Sequence, residues 1–156
     1  MITLRKLNKE DNNFLNKLIF SEGIHYEEYL KMGWSTKQII NQLNKPVNFS
    51  FGAFYKNSLI SFILGDLFNI EKISEYEILL LYVCKNSRNQ GIGTKLLKKI
   101  EENNNYLHKI YLEVSKNNSE GISFYKKMNF KKIYKRKNYF QFKNKNIDAI
   151  VMSKNY

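Results

Sequence analysis

Ile78-Leu79-Leu80-Leu81-Tyr82-Val83-Cys84 runs through the polar Lys85-Asn86-Ser87 into Arg88-Asn89-Gln90-Gly91-Ile92-Gly93-Thr94, and the reading of this stretch decides the fold. The first run has the length and the β-branched and aromatic content of a buried strand. Beyond the glycines, Ile92, Leu96, Leu97 and Ile100 recur at the spacing of one helix face, with Lys95, Lys98, Lys99, Glu101 and Glu102 on the other. The glycines therefore join a strand to a helix N-terminus. The first amides of a helix have no partner within it and the macrodipole puts partial positive charge there, so an anion is the expected guest. Gly91 and Gly93 carry no Cβ and let a phosphate approach the backbone, and Arg88 adds a full charge at the rim; pyrophosphate fits this best. Short Gly-x-Gly loops also serve as plain turns, so the neighbouring segments must decide.

Downstream, Ile110-Tyr111-Leu112-Glu113-Val114 reads as a strand, with Ile110, Leu112 and Val114 on one face and Tyr111 and Glu113 on the other. Asn118 suits the cap of a helix carrying Ile122, Tyr125 and Met128, and Asn129 suits its left-handed end. Phe130 to Tyr134 and Asp148 to Met152 read as two strands. The Lys/Asn-rich stretch between them is expected to be a long, mobile loop.

Upstream, Ile2 and Leu4 alternate with Thr3 and Arg5 as a first strand, and Phe14, Leu15, Leu18 and Ile19 form a helix face. An irregular, aromatic-rich segment from His25 to Trp34 follows. Ser35 caps a second helix with Ile39, Ile40 and Leu43 inward, stopping before Pro46. From Val47 the period changes to two: Phe49, Phe51, Ala53 and Tyr55 alternate, Lys56-Asn57-Ser58 turns, and Leu59 to Leu67 returns as the hairpin partner.

At 156 residues and 43% hydrophobic content, with eleven Tyr and eleven Phe, the chain has material for one core, and a single domain over residues 1–156 is expected. No apolar run approaches the ~20 residues that cross a bilayer, and Met1 to Lys6 lacks the pattern of a signal peptide. A lone cysteine, Cys84, excludes an internal disulfide and points to a reducing, cytoplasmic location. The net charge of +12 favours an anionic partner. Lys and Asn are spread over the whole chain, however, so blocks such as Lys135-Arg136-Lys137 read first as solvated faces, with no direct nucleic-acid requirement. His25 and His108 lack a ligand cluster and no metal is assigned.

The order of elements is α+β with one parallel crossover. Arg88-x-x-Gly91-x-Gly93 after an apolar strand, together with Leu112-Glu113-Val114 through Asn118 to Phe124-Tyr125-x-x-Met128-x-Phe130, resembles the GCN5-related N-acetyltransferase (GNAT) superfamily. Trp34-Ser35, Glu75-x-Glu77, Lys137-Asn138-Tyr139-Phe140 and Asp148-Ala149-x-Val151-Met152 resemble its RimI-like branch of protein N-terminal acetyltransferases. The sequence departs from that pattern in the bulky Tyr82, in Cys84 to Ser87 in place of an acidic-Pro turn, in Asn129 where Gly is usual, and in a lengthened segment before Trp34.

The resemblance implies the GNAT fold: a mixed, mostly antiparallel twisted sheet of about seven strands with four helices, splayed at the central parallel pair. It implies acetyl-CoA as cosubstrate, with pyrophosphate on the amides of Asn89, Gln90, Gly91, Ile92, Gly93 and Thr94 beside the charge of Arg88, the pantetheine arm along Leu81, Tyr82 and Val83, and Asn118 against that arm as well as capping its helix. It implies Glu113 as general base and Tyr125 as general acid, and a substrate slot between Trp34 and Tyr139. The acceptor implied is a protein N-terminus, in the RimI pattern the N-terminal alanine of a small-subunit ribosomal protein. A small amine or polyamine, a lysine side chain, or a non-catalytic CoA- or RNA-binding module are the alternatives; Glu113 and Tyr125 argue against the last. The sequence does not give the oligomeric state. Read without the family, a strand Glu is often a solvent-facing residue, a helix-face Tyr often packing, and a strand-end Cys such as Cys84 more often an apolar filler than an acyl-carrying nucleophile.

Overall fold

A computed structural model describes residues 1–23 and 35–156. Seven strands form one sheet in the order β1-β2-β3-β4-β5-β7-β6. They are β1 (Ile2–Leu7), β2 (Ser50–Tyr55), β3 (Ser58–Ile70), β4 (Ile73–Val83), β5 (Leu107–Ser115), β6 (Lys131–Phe142) and β7 (Lys145–Asn155). Every neighbouring pair is antiparallel except β4 and β5. Among the described residues there are four α-helices: α1 (Asn12–Ser21), α2 (Thr36–Asn41), α3 (Ile92–Glu102) and α4 (Ser119–Lys127).

Helices α3 and α4 cover one face of the sheet and α1 and α2 the other. Ile92, Leu96, Leu97 and Ile100 of α3 are at most 1% exposed and pack with Ile63, Tyr76, Ile110 and Leu112. Each such side chain contributes about 1.5–3 kcal/mol by leaving water, so the crossover helix is held chiefly by the apolar stripe that identifies it in the sequence. On the opposite face Leu15, Leu18, Ile19, Ile39 and Leu43 pack with Phe62, Leu64 and Tyr82. The Ser35 side chain caps α2 by accepting from the Gln38 amide, and the Gln38 side chain accepts from Ser35 N–H. With helices on both sides, β2 is buried at Ser50, Gly52 and Phe54 as well as at Phe51 and Ala53. The expected alternation of period two is therefore overridden there by two-sided burial.

Two features differ from the sequence expectation. The stretch after Tyr134 is not a long loop: β6 continues to Phe142, turns at Lys143-Asn144 and returns as β7. Both turn residues have positive φ, 46° and 59°, as does the Lys56-Asn57 pair at 45° and 61°, the geometry that suits two-residue hairpins. Strand β6 is an exposed edge, so its Lys-rich composition carries no alternating pattern to read. Likewise β3 extends past Leu67 to Ile70 and pairs onward with β4 through Ile70↔Ile73.

A bulge in β4 shapes the site. Leu64 pairs with Leu80 and Gly65 with Ile78, leaving Leu79 as an extra residue. Before it Tyr76 and Ile78 face α3; after it Leu81 and Val83 do, and Leu80 and Tyr82 turn to the α1 side. Parallel pairing with β5 runs from Ser74↔Leu107 to Ile78↔Leu112 and ends there, because a bulged strand bends and twists more strongly. Gly65 is pressed against this bend: a Cβ there would lie 2.1 Å from the Tyr76 hydroxyl and 2.5 Å from the Glu77 carbonyl oxygen. Gly65→Ala is expected to destabilise the fold by about 2–3 kcal/mol, seen as a lower urea midpoint with an unchanged m-value. An unchanged midpoint would show that the bend is not tightly packed.

Candidate active site

Where β4 and β5 part, a cleft of about 510 Å³ opens, within the range of small-molecule sites. Its lining brings together Leu81, Val83, Arg88, Asn89, Gly91, Gly93, Thr94, Glu113, Asn118 and Tyr125 from the residues singled out in the sequence. The Gln90 side-chain Nε2 donates to the Asn86 carbonyl, and the Ile92 side chain is core. Tyr82 is also turned away: its ring stacks on Phe62 at 6.0 Å and its hydroxyl donates to Glu22. The bulge accounts for this, and for why a bulky residue is tolerated at that position. Trp34 lies outside the described residues.

The glycine loop is built for exposed amides. Asn89 and Gly91 have positive φ, 60° and 72°, and Gly91 begins α3 with no side-chain cap on the helix amides. Successive amides in this kind of turn form a concave anion site. A Cβ on Gly91 would touch nothing within 4 Å, so its glycine answers to backbone conformation, whereas a Cβ on Gly93 would lie 3.4 Å from Phe124. Arg88 Nε donates to the Val83 carbonyl at 3.1 Å, which ties the loop to the end of β4 and holds the guanidinium at the rim.

Asn118 accepts from the Gly121 amide at 2.9 Å, capping α4 as read from the sequence. A Cβ at Gly121 would meet the Asn118 amide nitrogen at 2.7 Å, so the small residue one turn on is part of the cap. Tyr125 packs edge-on to Phe124 and Phe130. Burial pushes its hydroxyl above the ordinary phenol range, which makes it a firm neutral hydrogen-bond donor and a weaker acid than a free tyrosine.

Glu113 is the first β5 residue beyond the last β4–β5 pair, on the face opposite Leu112 and Val114. Its carboxylate is ion-paired to Arg136 Nη1 of β6. The Arg136 guanidinium lies 4.0 Å over the Tyr139 ring, and the Glu113 carboxylate beside it pushes the Tyr139 hydroxyl up. Glu77, on the same side of the sheet, accepts from the Tyr111 hydroxyl at 3.4 Å, and its carboxyl is raised first by burial and then by Glu113. Among the described residues no group of three or more His, Cys, Asp or Glu side chains could hold a metal, and no helix is long and apolar enough to cross a membrane.

Residues 16–130 match the Acetyltransferase (GNAT) family. The chain belongs to that family. Among solved structures, Arabidopsis thaliana NAA60 with a bisubstrate analogue is similar over 99% of this chain and 98% of its own, with TM-score 0.81 and 17% identity. NAA60 with acetyl-CoA gives 0.79 and 17% over the same shares. The Escherichia coli ribosomal-protein-S18-alanine N-acetyltransferase gives 0.78 and 21% over 98% of this chain and 92% of its own. Comparison with curated protein sequences found no match.

In this GNAT fold the cleft includes residues that sequence reading passed over, notably Phe124, Phe140, Ser115 and the bulge residue Leu79. Phe124 and Phe140 both had a signal, since they sit beside Tyr125 and Tyr139 in the quoted motifs; that Phe140 lies on a strand had none, because the solvated β6 carries no alternating pattern beyond Tyr134. Glu22 was also missed: it accepts from both the Tyr82 hydroxyl and the Lys85 amide, clamping the end of β4 to the end of α1. Cys84 is buried, and burial with the nearby Glu22 carboxylate pushes its thiol up to about 12. At pH 7 to 8 it stays protonated and shielded. A thiol reagent is expected to label Cys84 at least ~10²-fold more slowly in the native protein than in urea; equal rates would reopen its candidacy as an acyl carrier.

Proposed function

We propose that the chain is an acetyl-CoA-dependent N-acetyltransferase of the RimI-like kind, acting on a protein N-terminal α-amine by direct attack in a ternary complex. The observation that carries this reading is the fork between β4 and β5, around which the helix amides, Glu113 and Tyr125 line one cleft. The acetyltransferase family match and the likeness to NAA60 and the S18-alanine enzyme support it.

The residues present suit acetyl-CoA. The uncapped α3 amides and Arg88 would hold the pyrophosphate. Among the described residues, the β5-facing edge of β4 has no strand partner beyond Ile78, so it can accept the amide-bearing pantetheine arm as a further strand would. When bound, acetyl-CoA supplies an activated acyl group on a leaving thiol.

Glu113, or a water held by it, takes a proton from the incoming ammonium, whose reference pKa near ~7.7–8 makes this a small uphill step at neutral pH. A lysine amine near ~10.4 would cost roughly 3–4 kcal/mol more. The freed amine nitrogen would form its bond to the acyl carbon as the carbon–sulfur bond breaks, and the second proton that this nitrogen then sheds to water balances the one the departing sulfur takes up. The Tyr125 hydroxyl donates to the departing sulfur; with its acidity reduced by burial, it acts first as a hydrogen-bond donor and only then as a proton source. Tyr139 walls the acceptor side of Glu113, opposite the cofactor.

The test uses one peptide with its N-terminus free and then blocked, the blocked form carrying an internal lysine, with spermidine alongside. The free peptide is expected to be the acetyl acceptor, and Tyr125→Phe to lower turnover by about 10² or more with acetyl-CoA affinity retained. Preferential labelling of spermidine or of the blocked peptide would favour the small-amine or lysine alternative.

A further inference from the structure

Glu113 is not waiting free for an amine. Its carboxylate is engaged by Arg136, a residue of the exposed edge strand, with side-chain exposures of 19% for Glu113 and 43% for Arg136. On the proposed reading, an acceptor's α-ammonium must come to the same carboxylate. Two cations then compete for one anion, and the acceptor must take Glu113 from Arg136.

A guanidinium displaced from Glu113 gains from a fresh anion, and among the described residues the nearby ones offer little. Asp148, next along the sheet, is 3.5 Å from both Lys116 and Lys135 and accepts from the Asn138 backbone at 3.0 Å. Glu77 is half-buried, is bonded by Tyr111, and is held toward its neutral form. The platform beneath Arg136 is set by the fold: β6 breaks register between Arg136 and Phe140, and Asn138 sits there at φ 53°. That bulge presents Tyr139 under the guanidinium.

We propose that Arg136 is a specificity residue that selects acceptor N-termini carrying a carboxylate at their second or third position. An extended chain advances about 3.3–3.6 Å per residue, so an Asp or Glu at either position lies within reach of a guanidinium that touches Glu113 in the resting state. The acceptor's carboxylate takes over Arg136 in a charge-assisted, two-point contact while its ammonium takes over Glu113. A neutral acceptor gives the guanidinium no anion in return for Glu113, leaving it to Tyr139 and water, and one with Lys at these positions adds repulsion. The inference deepens the acceptor reading above and rests on it.

The experiment measures binding of peptides with free N-termini, identical except for Glu, Gln or Lys at the second or third residue, to the full chain saturated with CoA. Wild type, Arg136→Gln and Arg136→Lys are compared by calorimetry, and acetylation is followed in parallel with acetyl-CoA. Wild type is expected to bind a Glu peptide at least about fivefold more tightly than its Gln counterpart, with the Lys peptide weakest. In Arg136→Gln the Glu-to-Gln ratio should fall to about one, and Arg136→Lys should keep part of it. Equal binding of the Glu and Gln peptides by wild type, or an undiminished ratio in Arg136→Gln, would overturn the proposal. Because the ratio is read in binding, a preserved ratio without N-terminal acetylation supports Arg136 selectivity and counts instead against the reaction proposed above.

Discussion

Everything the site can do depends on β4 and β5 parting after the Ile78↔Leu112 pair. One inserted residue, Leu79, bends β4 and reverses which side chains face each layer. The same bend frees a backbone edge, opens the cleft below it and leaves Glu113 at the mouth of the fork. The apolar stripe of α3 then fixes the glycine loop across that opening, so the uncapped α3 amides and the Glu113 carboxylate line one gap. Local sequence sets the pieces, and the bulge sets their spacing.

Much of this was legible because strong periodic signals coincide with the site. The α3 face, the β5 alternation that separates Glu113 from Leu112 and Val114, the Asn118 cap and the left-handed Asn129 were all read correctly from spacing and turn chemistry. What escaped was whatever depends on a partner distant in sequence. Tyr82 sat in an apolar run with no visible phase, and only the bulge turns it to the α1 layer. Glu22 looks like a helix-end acid until the end of β4 is brought against it. Strand β6, solvated as an edge, has no buried stripe to betray it, and so the Lys143-Asn144 hairpin and the bulge at Asn138 were read as loop.

Arg136 illustrates the same limit with more consequence. In sequence it is one of a run of basic residues, most of which are indeed solvated. In the fold, strand pairing brings it to Glu113 and Tyr139, while its neighbour Lys135 goes to Asp148, so one member of a charge block reaches the cleft carboxylate. Net charge described the surface and gave no hint of which cation would matter.

On the proposed function, the uncapped amides of α3 hold a pyrophosphate while the open edge of β4 holds the arm attached to it. Calorimetry comparing acetyl-CoA with S-acetylpantetheine, which lacks the pyrophosphate and nucleoside, tests it most directly when repeated with acetyl-pantetheine phosphate and with Gly93→Val. Wild type should gain at least ~10²-fold in affinity from acetylpantetheine to acetyl-CoA, with most of the gain from the phosphate groups, and Gly93→Val should lose that gain while binding acetylpantetheine as before. Equal affinities for acetyl-CoA and acetylpantetheine in the wild type would contradict the account.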